Sequence, residues 1–282
     1  MRRLIIGCGY VGHRAAGSWS QRGDEITVLT RSPEHAAEFQ RLGWHPLLGD
    51  VTEPATIANL PAVDTVLYAV GLDRRAGHSQ RDVYVGGLRN VLDTPAAQSH
   101  RFLYISSTSV YGQETGEWVN ESSACEPVTE SGRVCLEAEQ LLRCEVPSAI
   151  MLRLAGIYGP ARLIARVKAL RSGEPLRLNP DAWLNLIHVD DAVAAILASD
   201  NRATAGSTCL IADDRPNTRR HFYSQVASLV GAAPPTFHEH DLATEELQRL
   251  NKRCSNRRLR EDLGVELTFP TTDSGLPASL HL

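Results

Sequence analysis

What limits the fold most is a regular alternation through the first half of the chain, in which short β-rich runs are each followed by a segment of helical periodicity. Arg3 to Ile6, Glu25 to Thr30, His45 to Leu48, Thr65 to Val70, Phe102 to Ser106 and Ala149 to Leu154 are the strand candidates. Between them, Val11 to Gln21, Pro33 to Arg41, roughly Gln80 to Ala97 and Glu130 to Arg143 have helical spacing. Several of the strands are apolar almost throughout, as strands buried on both faces must be. Such alternation is built as a parallel sheet with helices covering both faces.

Beyond Leu154 the alternation weakens. Arg162 to Arg171 reads as a helix ahead of the turn Ser172-Gly173-Glu174-Pro175, Asp190 to Ala198 as a strongly apolar helix, Thr208 to Ala212 as a short strand, and His221 to Val230 as a helix before Pro234-Pro235. The expectation is a doubly wound α/β domain of Rossmann type over residues 1–160 and a smaller C-terminal substrate lobe over 161–282. The stretch from about 186 to 212 returns to the first domain. The lobe is expected over the carboxyl edge of the sheet, where open α/β sheets bind ligands.

Composition narrows the partners. A hydrophobic content of 43% and a net charge of -4 describe an ordinary globular chain with no basic excess to attract nucleic acid. The apolar run after Met1-Arg2-Arg3 stops at Gly7, too soon for a signal peptide, and no stretch is long enough to span a membrane. Six cysteines without a CxxC pair or zinc spacing suit a reducing cytoplasm. His238-Glu239-His240, after two prolines, reads as a solvated loop, so no metal is expected. A homodimer is left open.

Gly7-Cys8-Gly9-Tyr10-Val11-Gly12 follows the first apolar run directly and opens the first helix. In that context the first glycine permits a tight turn, the second lets a pyrophosphate approach the backbone, and the third lets helix and strand pack closely. Amides at the helix N-terminus then meet the phosphates. The pattern predicts a nicotinamide dinucleotide. The second strand ends Leu29-Thr30-Arg31-Ser32, with no acid to hold a free ribose 2′-hydroxyl, while Arg31 and Ser32 suit a 2′-phosphate. NADP is therefore preferred to NAD. Asp50 and Val51, ending the third strand, are expected near the adenine, and Ala69-Val70-Gly71, ending the fourth, beside the middle of the cofactor.

Other segments give the chain a family. It resembles the extended short-chain dehydrogenase/reductase superfamily, the NAD-dependent epimerase/dehydratase group, over almost its whole length. The likeness is carried by Ser106-Ser107-Thr108-Ser109-Val110-Tyr111-Gly112, by Arg153-Leu154-Ala155-Gly156-Ile157-Tyr158-Gly159-Pro160, by Ile187-His188-Val189-Asp190-Asp191, and by Ser255-Asn256-Arg257-Arg258-Leu259 with Leu263-Gly264. The resemblance implies a scaffold that binds the nicotinamide cofactor and a serine, Ser107, that hydrogen-bonds the reacting oxygen.

The departures concern the chemistry. Family enzymes carry Tyr-x-x-x-Lys on the helix after the serine strand; here Ser131 stands in the tyrosine's place and Cys135 in the lysine's. The only lysines are Lys168 and Lys252, and none lies four positions beyond a tyrosine. Tyr84 occupies a position where many members have asparagine, and the glycine turn is the shorter GxGxxG form. These features resemble the atypical short-chain dehydrogenases. Ser107 is the candidate orienting residue and Tyr111 the candidate substitute acid, with packing as its alternative role. Two functions fit: an oxidoreductase or epimerase-like enzyme acting on a small hydroxyl or carbonyl substrate, a nucleotide sugar being one candidate, or a catalytically inactive NADP(H)-binding redox sensor.

Overall fold

The computed structural model describes residues 1–238 and 250–280, so Glu239 and His240 of the expected loop lie outside the described residues. In chain order the elements begin with β1 (Arg2–Ile6), α1 (Tyr10–Gln21), β2 (Glu25–Thr30), α2 (Pro33–Arg41), β3 (His45–Leu48), α3 (Pro54–Ile57) and β4 (Thr65–Tyr68). A π-helical turn (Asp82–Gly86) then leads into α4 (Gly87–Leu92), a 3-10 turn (Pro95–Gln98), β5 (Arg101–Ser107), β6 (Glu117–Val119), α5 (Glu130–Glu145), β7 (Ile150–Leu154) and β8 (Gly156–Tyr158). The remainder comprises α6 (Ile164–Ser172), β9 (Trp183–Leu184), β10 (Leu186–His188), α7 (Val189–Arg202), β11 (Thr208–Ile211), β12 (Asn217–Thr218), α8 (Arg219–Leu229), β13 (Lys252–Cys254), α9 (Arg257–Glu261) and α10 (Thr272–Leu280).

The chain divides into two compact units. The first is Met1–Ser107, Glu130–Arg153 and Val193–Cys209, and the second is Thr108–Thr129, Leu154–Ala192 and Leu210–Leu282. The sequence places one break near residue 160 with a later return. In the structure the return begins at Val193, and residues 108–129 also belong to the second unit.

The first unit is organised by a mostly parallel sheet of order β11-β7-β5-β4-β1-β2-β3. β1 pairs in parallel with both β2 and β4, β2 with β3, and β4 with β5. The chain therefore winds outward from β1 to β3, then restarts at β4 on the other side of β1. That reversal opens a crevice at the carboxyl ends of β1 and β4. Leu4, Ile5 and Ile6 are completely buried because helices cover both faces of β1. α1 turns Val11, Ala15, Ala16 and Trp19 inward, and Ser32 caps α2 by accepting the His35 amide ahead of Pro33.

The helix expected over roughly 80–97 is divided. Its middle is a π-helical turn and α4, and Thr94 takes extended geometry (φ -104, ψ 165) before Pro95. Proline disfavours helical geometry in the residue before it and lacks an amide donor, so α4 stops and a 3-10 turn follows.

The amino ends of the strands carry a buried ion cluster. Asp200 in α7 receives Arg3 Nη1 at 2.6 Å and the Thr65 hydroxyl at 2.7 Å. Arg3 Nε also binds Asp24 at 2.8 Å, and Arg101 donates to the carbonyls of Ser199 and Ala203, both at 2.8 Å. This cluster fastens α7 to β1, β4 and β5 at the edge opposite the crevice.

Among the described residues the second unit contains three two-stranded pairings: β6 with β13 and β8 with β10 in parallel, and β9 with β12 antiparallel. Its apolar centre gathers Tyr158, Leu163, Leu186, Phe222, Val226 and Leu276. A Cβ at Gly275 would stand 2.0 Å from the Tyr158 hydroxyl, so α10 can pass the buried ring only with glycine there. The Asp190 amide donates to His188 Nδ1 at 3.3 Å, and Asp191 accepts the amides of Thr268 and Phe269 at 2.7 and 2.9 Å. His188 and Asp190 thus form the turn at the start of α7.

Asp213, at the end of β11, is buried. Burial, with the charges of Asp214 and Asp191 adding to it, pushes its carboxyl from 3.8 up to about 8, against the opposing amide and guanidinium of Arg215. Tyr158 and Cys254 also lie within its field. The folded chain keeps this proton between about pH 4 and pH 8, where the unfolded chain has released it, so stability falls as pH rises through that window. Asp213→Asn is expected to flatten this slope and to raise stability most at pH 8, read from urea midpoints across pH. In the first unit, Asp200→Ala leaves Arg3 buried without its closest carboxylate and is expected to cost about 3–5 kcal/mol by urea titration at pH 7.

Candidate functional site

The site is built on the crevice at the ends of β1 and β4. After Ile6 the chain turns at Gly7, whose φ of +93 lies in the left-handed region that suits glycine. A Cβ on Gly7 would stand 2.5 Å from the carbonyl of Ala69 and 2.6 Å from the Val70 amide nitrogen. One on Gly12 would stand 2.3 Å from the Gly7 carbonyl oxygen. These two glycines are demanded by the protein's own backbone. Gly9 differs: nothing among the described residues lies within 4 Å of where its Cβ would be, and the same holds for Gly71. The floor of the crevice is thus packed tightly from below and open above. No side chain caps α1 and no acid lies in its first turn, so its leading amides face that opening with the positive end of the helix dipole.

Tyr10 and Val11 begin α1, Val11 facing the core. Arg14 stacks 4.1 Å over the Tyr10 ring and donates to the Tyr10 carbonyl at 2.9 Å, which holds the first turn in place. Cys8 is half-buried, and burial together with the Glu38 charge pushes its thiol up to about 12. It remains a neutral thiol at physiological pH, placing no negative charge in the turn.

Beyond the ends of β2 and β3 the residues expected beside the adenosine come together. Arg31 at the end of β2 lies 3.5 Å from Asp50 and 3.3 Å from Asp73. Asp50 is fixed by the amide and hydroxyl of Thr52 at 2.9 and 2.8 Å. Burial raises its pKa, but these bonds and Arg31 outweigh burial and hold the carboxylate below its usual range. Val51 is buried and its carbonyl accepts from Asn90 at 2.8 Å, so it acts through the backbone and the core. Ser32 caps α2 and donates to Glu34 at 2.6 Å. Ala69 is bonded through its amide to the Ile6 carbonyl at 2.7 Å, which seats Ala69, Val70 and Gly71 beside the glycine turn.

At the far side of the crevice, β5 ends in Ser106 and Ser107. Strand alternation sends these two hydroxyls to opposite faces. Ser106 is buried and donates to Glu139 of α5 at 2.6 Å, while Ser107 is half-buried. Glu139, fully enclosed, also receives Arg153 through Nε at 2.9 Å and Nη2 at 2.6 Å. Ser131, Cys135 and Glu139 follow at intervals of four on one helical face. Ser131 is exposed and receives the Gln80 side chain at 2.9 Å; Cys135 is buried. Arg153 is therefore committed to a buried carboxylate. Sequence reasoning missed Glu139 as the anchor of Ser106 and Asp73 as a partner of Arg31. The helical spacing from Ser131 gives a signal for Glu139; Asp73 carries none. Tyr111 belongs to the second unit, is fully buried, and accepts Lys252 Nζ on its backbone carbonyl at 2.8 Å. Among the described residues no group of His, Cys, Asp and Glu is arranged to hold a metal.

A sequence profile of the NAD dependent epimerase/dehydratase family matches residues 4–212. The chain belongs to that family. It is 31% identical to the Escherichia coli (strain K12) protein YeeZ, over 94% of this chain and 95% of the relative. It is 26% identical to a Streptomyces 3-diazoavenalumate denitrifying reductase, over 98% of this chain and 99% of that protein. The dTDP-glucose 4,6-dehydratase of Streptomyces venezuelae, solved with NAD and TYD bound, shares the fold with a TM-score of 0.84 at 20% identity, over 99% of this chain and 95% of that one. The family likeness bears out the expected Rossmann architecture.

The two kinds of glycine separate in a simple experiment. Gly12→Ala drives a Cβ into the Gly7 carbonyl and is expected to cost about 1–3 kcal/mol or more in urea titration. Gly9→Ala is expected to leave the midpoint nearly unchanged while weakening nucleotide binding, read by fluorescence titration. Equal loss of stability in both variants would contradict an open crevice at Gly9.

Proposed function

We propose that the first unit binds a nicotinamide dinucleotide, NADP in preference to NAD, and that the protein is an oxidoreductase acting on a small hydroxyl or carbonyl substrate. The observation that carries this reading is the contrast at the glycine turn. Gly7 and Gly12 are required by packing, whereas no described residue lies within 4 Å of a Cβ built on Gly9 or Gly71, as a phosphate-binding backbone needs. When bound, the cofactor supplies or accepts a hydride.

The chain's own residues do the rest. Amides of the glycine turn and of the first turn of α1 hold the pyrophosphate. Arg31 and Ser32 face the adenosine ribose, and Asp50 the adenine. Ser107 orients and polarises the reacting oxygen, while the Ser106, Glu139 and Arg153 cluster keeps the end of β5 in place. Burial raises Tyr84 and pushes Tyr104 well above its ordinary value. A high-pKa hydroxyl is a poor base at neutral pH but can still donate a proton as charge develops. This favours hydride delivery to an electrophilic acceptor over removal of a hydride from an alcohol. The Streptomyces relative is likewise named for a reduction. The full enclosure of Tyr111 favours packing over proton transfer.

The other reading is a redox sensor that binds the nucleotide without turnover, and the replacement of the family's Tyr and Lys by Ser131 and Cys135 is what favours it. Titration with NADPH and NADH, followed by a screen of aldehydes, ketones and nucleotide sugars for loss of nicotinamide absorbance, separates the two. Turnover that falls about 10²-fold in Ser107→Ala, with nucleotide affinity unchanged, is the expected result. Binding without turnover across the screen would select the sensor, and failure of both nucleotides to bind would remove both readings.

A further inference from the structure

β1 lies between β2 and β4, so residues just beyond the ends of those two strands meet only by reaching across the end of β1 and its glycine turn. Arg31, after β2, and Asp73, after β4, do so with Arg31 Nη2 3.3 Å from Asp73 Oδ2. The other carboxylate oxygen of Asp73 accepts the Arg75 amide at 3.0 Å and lies 3.6 Å from Arg75 Nε. One carboxylate is thus shared by two guanidinium groups at the ribose edge of the crevice. Both contacts are long compared with the roughly 2.7–2.9 Å of a close charge-assisted bond, so the clasp is loose. Arg31 and Arg75 are also exposed, at 47% and 94% of their side chains, and are free to turn. Asp50 accepts from Thr52 through one carboxylate oxygen and lies 3.5 Å from Arg31 Nη1 through the other.

We propose that the 2′-phosphate of a phosphorylated adenine dinucleotide takes the place of the Asp73 carboxylate between Arg31 and Arg75. This inference rests on the reading of the first unit as a dinucleotide site, and it makes Arg75 a second phosphate ligand that the end of β2 alone does not reveal. A phosphate brings more charge and one more acceptor oxygen than a carboxylate, so it can satisfy both guanidinium groups at once. Asp73 then has two effects. It holds Arg31 and Arg75 near each other before the nucleotide arrives, and its charge opposes the phosphate that replaces it. A nucleotide with a free 2′-hydroxyl leaves the clasp closed and gains nothing from Arg75.

The test is calorimetric titration of the whole chain with 5′-AMP and with its 2′-phosphorylated form, 2′,5′-ADP, at fixed low salt. Wild-type protein is expected to bind 2′,5′-ADP more tightly than 5′-AMP. Arg75→Ala is expected to weaken 2′,5′-ADP about tenfold while leaving 5′-AMP within about twofold, the loss of one charge-assisted bond. Asp73→Asn is expected to tighten 2′,5′-ADP and leave 5′-AMP unchanged. If Arg75→Ala changes both ligands equally or neither, or if Asp73→Asn weakens 2′,5′-ADP, the proposal is overturned. Binding of 5′-AMP with no gain from the 2′-phosphate removes this proposal alone, whereas failure of both ligands on wild-type protein removes the dinucleotide reading beneath it.

Discussion

The first unit depends on the approach of two backbones. The chain leaving β4 at Ala69 and Val70 presses so closely on Gly7 that not even a methyl group fits between them. That approach is a consequence of parallel pairing between β1 and β4 at the point where the sheet changes its direction of winding. It forces glycine at the first position of the turn, sets the angle at which α1 starts, and leaves the amides of α1 aimed into the crevice. The third glycine follows from the same geometry, since α1 must pass over the Gly7 carbonyl. The second is free of any such demand, and the space beside it is what the fold makes available to a ligand.

Buried and solvent-exposed charges stand at opposite edges of that sheet. At the amino ends, Arg3, Thr65 and Arg101 converge on α7 and Asp200, largely out of water, where ion pairs are strong but unforgiving of a missing partner. At the carboxyl ends, the charges of Arg31, Asp73 and Arg75 stay in contact with solvent and are held by long bonds, so they can exchange partners. Between these extremes stands Glu139, buried but fully engaged, fixing β5 through Ser106 and leaving Ser107 on the other face of the strand.

Much of the first unit was legible because its signals are local. Runs such as Leu4-Ile5-Ile6 declare themselves as two-sided strands, and the glycine spacing marks the turn without reference to anything distant. The helix expected from residue 80 onward was harder, because its π-helical turn and its stop at Pro95 depend on backbone detail that apolar spacing does not report. In the second unit, β6, β9 and β12 are two or three residues long, and β6 finds its partner β13 more than a hundred residues later. No periodicity survives in so short a run. The site divides in the same way: Gly7 to Gly12, Arg31 and Asp50 sit at strand ends that can be counted from the sequence, whereas Asp73 reaches Arg31, and Glu139 reaches Ser106, only through the folded sheet. The loss of the family's Tyr and Lys was visible at once, since it is a change of residue at a fixed spacing.

Amide hydrogen exchange, followed by mass spectrometry with and without saturating NADPH, tests at the residues concerned whether the open face beside Gly9 receives the pyrophosphate of a nicotinamide dinucleotide. Slowed exchange is expected in peptides covering residues 7–14 and 69–75, with the strand starts at Arg3, Thr65 and Arg101 changing little. Protection confined to the second unit, or no protection in the glycine turn at a nucleotide concentration that saturates binding, would contradict it.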